Sequence, residues 1–178
     1  MRTCKICHEP YTPKYTTTQA TCNKTECMIQ YGREKQQKAH SKEFRKKQRQ
    51  AKDKLKTRSD WLREAQTAFN AYIRERDKYE HCISCGRQPR KRNAGHYKSV
   101  GSSPELRFHP FNCNLQCEHC NTYKSGNQTE YRIHLVRRIG LANVEWLEGP
   151  HSAQKLTIDE IKEIKQYYKE QLKILKNT

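Results

Sequence analysis

Cys82-Ile83-Ser84-Cys85 and Cys117-Glu118-His119-Cys120-Asn121 are two CxxC pairs separated by a loop that carries His96 and Asn112, and their reading decides the fold. Each CxxC knuckle directs two thiolates at one metal, so Cys82, Cys85, Cys117 and Cys120 form the donor set of a tetrahedral Zn²⁺ site. Between the knuckles, Gly86, Gly95, Gly101, Gly126 and prolines 89, 104 and 110 leave room for short strands and loops only. Leu106-Arg107-Phe108 alternates and reads as a strand.

Upstream, Cys4, Cys7, Cys22 and Cys27 repeat the logic with a Pro- and Thr-rich loop between the pairs. Residues 1–30 have almost no apolar core of their own, so a second structural Zn²⁺ is expected to hold them; His8 is an alternative ligand. Of nine cysteines, eight fill two four-thiolate sites and Cys113 is left over. The polar start Met1-Arg2-Thr3-Cys4-Lys5 has no apolar signal region, and no run approaches membrane-spanning length. The expectation is a cytoplasmic chain that binds metal through its cysteines, with no membrane contact.

The 178 residues carry 36 Lys and Arg against 19 Asp and Glu, a net charge of +17, with 33% hydrophobic residues. Self-repulsion at this charge opposes compaction, and a polyanion, usually nucleic acid, relieves it. Half of the surplus lies in residues 31–58, where twelve Lys or Arg face three acids, a net of nine. No Pro or Gly interrupts residues 33–58, and Phe44 and Leu55 are nearly the only apolar side chains there. We expect a solvated helical arm whose Arg45, Lys46, Lys47 and Arg49 contact DNA. A second basic cluster, Arg87, Arg90, Lys91 and Arg92, precedes His96 with Lys98 and Arg107 beyond it, and no acid occurs from 87 to 104. Such side chains track a phosphate backbone.

Residues 59–80 place Trp61, Leu62, Ala65, Phe69, Tyr72 and Ile73 on one helical stripe, with Ser59 or Asp60 as N-cap. Tyr131, Leu135 and Ile139 mark another helix that Gly140 ends. Thr157 with Glu160 is a capping box for a third, whose Ile161, Ile164, Tyr168 and Leu172 are either internal core or a dimer surface. The segmentation is 1–30 cysteine module, 31–58 basic arm, 59–150 central domain with its leading helix, and 151–178 C-terminal helix.

Phosphodiester hydrolysis needs an activated water and a cation on the scissile phosphate. A neutral imidazole suits the first task and a hard, oxygen-ligated Mg²⁺ the second, so His96 and Asn112 are expected at one cation, separate from the zinc. Lys124, four residues after Cys120, is expected either to neutralise phosphate charge and so bind DNA or to be a solvated lysine. His96, Asn112 and Asn121, woven through two knuckles, resemble the HNH nuclease family. More narrowly, the chain is similar over essentially its whole length to the NinG (Rap) family of lambdoid phages. The likeness is carried by Cys82-Ile83-Ser84-Cys85-Gly86, Ala94-Gly95-His96-Tyr97, Arg107-Phe108, Asn112, Gln116-Cys117, Cys120-Asn121, Ser125-Gly126-Asn127, Ala65-Gln66 and Tyr72-Ile73-Arg74.

The resemblance implies a small, zinc-stabilised α+β fold with a ββα-metal core, long flanking helices and an N-terminal zinc knuckle. It implies a phage- or prophage-encoded endonuclease, acting in the bacterial cytoplasm on Holliday junctions and D-loops with Mg²⁺ or Mn²⁺. His96 then is the general base, Asn112 holds the loop or the metal, and Asn121 replaces the final HNH histidine. Gly95 stands where many HNH enzymes carry an acidic ligand, which leaves His109 or His119 as alternative donors. The two-fold symmetry of a junction favours a homodimer. The competing expectation is a non-catalytic, zinc-dependent DNA-binding recombination accessory protein.

Overall fold

The computed structural model describes residues 1–153 and 155–177, and the chain divides into two compact units, residues 1–56 and 57–178. In the first, two-residue strands β1 (Arg2–Thr3) and β2 (Pro10–Tyr11) pair antiparallel. Helix α1 (Thr25–Leu55) then starts two residues before Cys27. The buried apolar residues are Cys4, Tyr11, Cys22 and Cys27, with Ile6 and Cys7 against them and Thr21 buried beside Cys22, so the cysteines themselves are most of the core. Beyond Cys27, α1 has no buried residue, and Phe44 and Leu55 are exposed. One helix therefore runs through the boundary drawn at residue 30, because the single Gly32 between Cys27 and the basic run is too weak a breaker to stop it.

The second unit begins with α2 (Arg58–Arg76). Its N-cap is Thr57, not Ser59 or Asp60: the Asp60 N–H donates to Thr57 Oγ1 (3.2 Å) and the Thr57 N–H to Asp60 Oδ2 (2.9 Å). Asp60 is thus the third residue of the box rather than the cap. Strands β3 (Arg92–His96) and β4 (Cys113–Cys117) form an antiparallel pair in which His96 faces Cys113 and Gly95 faces Asn114. Residues 97–112 connect them, and Leu106-Arg107-Phe108 is not a strand. Pro104 opens a single 3₁₀ turn, Pro104–Leu106, that buries Leu106, and Arg107 remains in the right-handed helical region. Proline preset to a helical φ initiates that turn, and three alternating residues are too few to resist it.

After one wide helical turn at His119–Tyr123 come α3 (Gln128–Ile139), α4 (Leu141–Glu148) and α5 (Ile158–Asn177). Gly140, at φ 84°, ends α3 as expected and starts α4, which sequence reading overlooked. The Thr157–Glu160 box is present, with the Thr157 N–H donating to Glu160 Oε2 at 2.7 Å. The sheet lies between two helical layers. On one side α2 and α5 bury Trp61, Ala65 and Ile161, then Phe69, Ile73, Cys113 and Tyr168. On the other, α3 and α4 bury Tyr131, Leu135, Val144 and Leu147 with Ile83 and Tyr97. The stripes of α2 and α5 cover each other, so Ile161 and Tyr168 are internal core and not a dimer face.

Asp77, fully buried at the end of α2, binds the layers together. It accepts from Arg76 (2.7 and 2.8 Å), from Arg138 of α3 (2.6 Å) and from the Leu115 N–H of β4 (3.1 Å). Burial works against its charge, but Arg76 and Arg138 hold its carboxyl below the usual carboxylate range. Arg76 extends the network to the carbonyls of Pro110 and Cys113, both at 3.0 Å.

Candidate functional site

Both predicted cysteine sets are assembled. In each of Cys4, Cys7, Cys22, Cys27 and Cys82, Cys85, Cys117, Cys120 the four sulfurs lie within 4.8 Å of one another, and none is in a disulfide. Four convergent thiols at this spacing are a tetrahedral Zn²⁺ donor set, so each group could hold one zinc. Knuckle backbone supports the charge: in Cys82 burial opposes the thiolate, but N–H groups around the site lower its pKa. Cys113, fully buried, has its thiol pushed far up by desolvation and is no ligand.

The second set closes the open end of the β3–β4 pair and brings the 119–123 turn beside it. Neighbouring residues on a strand face opposite sides, so positions 95 and 96 look different ways. His96 is on the α2 side. Its Nε2 lies 2.9 Å from the Arg107 carbonyl, which can only accept, so the proton is on Nε2 and Nδ1 is the free base. Nδ1 faces Cys113 Sγ at 3.8 Å, and the ring lies 5.9 Å from that of Phe69. Desolvation outweighs the carbonyl contact and lowers the His96 pKa, so the ring is neutral at pH 7. The carbonyl is itself fixed, since Arg107 Nε donates to Gln66 Oε1 at 2.8 Å.

Asn112 does not meet His96 at a cation. It is fully buried; its Oδ1 accepts from the Lys98 N–H (2.7 Å) and its Nδ2 donates to the carbonyls of Lys98 (3.0 Å) and Leu106 (3.1 Å). All of its polar atoms serve to clamp the 97–112 loop. Asn121 is half-buried on the other side of the sheet, with Oδ1 2.9 Å from where a Cβ on Gly95 would be. The alternative donors lie elsewhere: His119 is exposed beside Tyr123, and His109 stacks on Trp146 at 4.9 Å. Gln116, fully buried at the same Gly95 position, was not singled out from sequence; only the fold shows where its amide points.

The basic residues fall in two places. Arg45, Lys46, Lys47 and Arg49 are exposed on α1, Lys47 pairing with Glu43 at 3.0 Å. Arg87, Arg90, Lys91 and Lys124 line one cleft over Cys85, Cys117 and Cys120, where Lys91 is paired with Glu118. Arg92 is exposed and Lys98 half-buried. Among the described residues no helix is long and apolar enough to cross a membrane.

These features define a small α+β protein built around two four-cysteine metal sets, with a cation-rich surface at one of them. The family model described as Bacteriophage Lambda NinG protein matches residues 1–178, and the chain belongs to the NinG family. Protein ninG of Escherichia phage 933W is 39% identical over 196 residues, covering 99% of this chain and 94% of that protein. Protein ninG of Escherichia phage lambda is 46% identical over 125 residues, covering 70% of this chain and 61% of its own length. The Salmonella phage P22 protein is 45% identical over 125 residues, covering 70% of this chain and 62% of its own. No solved structure matches the chain.

Proposed function

We propose that the chain is a divalent-cation-dependent endonuclease that cuts branched DNA such as Holliday junctions and D-loops during phage recombination, working as a homodimer. The observation that carries the reading is His96: an imidazole at the end of β3, kept neutral by burial and held in one tautomer by the Arg107 carbonyl, in a loop clamped by Asn112. Its support is the residue-by-residue likeness to HNH nucleases and a strand pair followed by a helical turn that carries Asn121.

In this reading His96 turns Nδ1 from the buried Cys113 Sγ to a water and takes its proton; the hydroxide attacks phosphorus, the P–O bond to one sugar oxygen breaks, and that oxygen leaves and is protonated by solvent. Arg87, Arg90, Lys91, Arg92 and Lys124 hold the strand by its phosphates, which favours recognition by branch shape over base sequence. A bound Mg²⁺ or Mn²⁺ supplies charge stabilisation at the scissile phosphate. The basic face of α1 adds salt-sensitive affinity.

The test is incubation of a four-way junction and its linear control with wild type and His96→Ala, with and without Mg²⁺. Metal-dependent nicking of the junction, lost in His96→Ala while binding survives, is expected. Equal cutting by the variant would remove His96 as the base. Because the His96 pKa is lowered, the neutral base persists on acidification, so the acid limb of the rate profile should fall below about 6.5, the ordinary histidine value.

One observation favours a second reading, a zinc-dependent DNA-binding accessory protein: position 95 lacks a carboxylate and faces away from the His96 ring. It expects salt-dependent junction binding with no product under any divalent ion.

A further inference from the structure

Gly95 interrupts the pattern of an acidic residue before the base, and the structure shows what occupies the vacated volume. The Gln116 Oε1 atom stands inside the space a Cβ at residue 95 would take, and Asn121 Oδ1 lies 2.9 Å from the same point. Gln116 is fully buried, and its Oε1 has no hydrogen-bond partner.

The orientation of this amide is determined by its neighbours. Gln116 Nε2 donates to the Gly126 carbonyl (2.7 Å) and to Ser84 Oγ (2.6 Å). Ser84 spends its own proton on the same Gly126 carbonyl (2.8 Å), so it can only accept from Gln116. Turning the amide over would set its oxygen against two acceptors. Oε1 must therefore point at Gly95, next to the Asn121 amide, whose Oδ1 lies 2.9 Å from the same point. The other polar group there is already engaged, since Tyr131 Oη donates to the Gly95 carbonyl at 2.9 Å.

Two neutral oxygens converging on one point, one of them buried and unpartnered, suit a hard divalent cation that keeps several waters. We propose that Gln116 Oε1 and Asn121 Oδ1 are protein ligands of a Mg²⁺- or Mn²⁺-binding site on the Gly95 face of the strand pair. Gly95 is then no missing ligand: its lack of a side chain makes room for the Gln116 oxygen. The role of this site in cleavage rests on the nuclease reading; its existence does not.

The test titrates the full-length, zinc-loaded chain with Mn²⁺ alone, following free Mn²⁺ by electron paramagnetic resonance, with zinc content and circular dichroism as checks of folding. One Mn²⁺ per chain, displaced by Mg²⁺, is expected for wild type. Gln116→Met keeps the bulk and removes the oxygen, and should weaken binding at least about tenfold. Asn121→Asp adds charge at a half-buried position and should tighten it by a similar factor. Gly95→Asp alone collides with Gln116, whereas Gly95→Asp with Gln116→Ala should bind Mn²⁺ again. A wild type that binds no Mn²⁺, or Gln116→Met binding as wild type does, overturns the site. If Gln116→Met fails to fold, Asn121→Asp decides, and unchanged affinity overturns it.

Junction cleavage with Mg²⁺ separates the two ideas. Cutting by wild type together with Mn²⁺ binding indifferent to Gln116 leaves the nuclease and removes the site. Mn²⁺ binding through Gln116 without cutting leaves the site and removes the nuclease.

Discussion

The two cysteine sets have the same donors and the same sulfur spacing, yet their surroundings are opposites. Around Cys4, Cys7, Cys22 and Cys27 the buried residues are three of the cysteines, Tyr11 and Thr21, with two tiny strands and an outward-facing helix. Around Cys82, Cys85, Cys117 and Cys120 there are two helical layers with apolar clusters of their own. In the first unit a bound metal would stand in for the core. In the second it would pin the ends of a strand pair that hydrophobic burial has already placed. Equal ligand sets thus carry unequal shares of folding, decided by how much apolar surface each segment can remove from water.

The strongest challenge to this contrast is removal of zinc. A small domain folded by zinc loses about 10–16 kcal/mol of binding free energy with its metal. Chelation or Cys22→Ser should therefore open residues 1–24 to protease, while Cys117→Ser should leave the helices of residues 57–178 protected. Protection of residues 1–24 without metal would break the comparison. Mass spectrometry of the native chain should find two zinc atoms.

Asp77→Ala tests the other half. It leaves Arg76 and Arg138 without their shared carboxylate in the interior, and removing one member of such a cluster costs about 3–5 kcal/mol. Urea denaturation of residues 57–178 should show the loss, with zinc retained at Cys4, Cys7, Cys22 and Cys27. The pH dependence has a definite sign. Because the folded pKa of Asp77 is depressed, its contribution is fully present above about 3.9, the ordinary Asp value, and disappears as pH falls through the lower folded value. The smallest effect belongs to Thr57→Ala, which opens the box at the start of α2 and should cost about 1 kcal/mol in the same denaturation.

The parts of the molecule that were legible in advance depend on residue type and short spacing. The Thr157–Glu160 box, the Gly140 stop and the charged helix are read within a few turns of chain, and the eight cysteines, though Cys85 and Cys117 are 32 residues apart, are marked by their type and the short spacing inside each pair. What was not legible depends on partners far apart in sequence. Asp77 and Arg138 are 61 residues apart, and nothing local marks them as a pair. The direction of the Gln116 amide needs Ser84, 32 residues away, and Gly126. Residue type leaves Asn112 to hold either the loop or a metal, and only the distant backbone of Lys98 and Leu106, which engages both of its amide atoms, points to the loop. Thr57, Ser59 and Asp60 are all capping types within four residues, and only geometry chooses among them.

Helix α1 has one more implication. Its 31 residues at 1.5 Å each give a rod about 46 Å long, clamped at one end through Cys27. Measured against the 3.4 Å step of a duplex strand, that is roughly fourteen nucleotides. From residue 39 to 52 the same rod presents trypsin with a Lys or Arg every few residues on an exposed surface. Whatever lies along it will write its length directly into the digestion pattern.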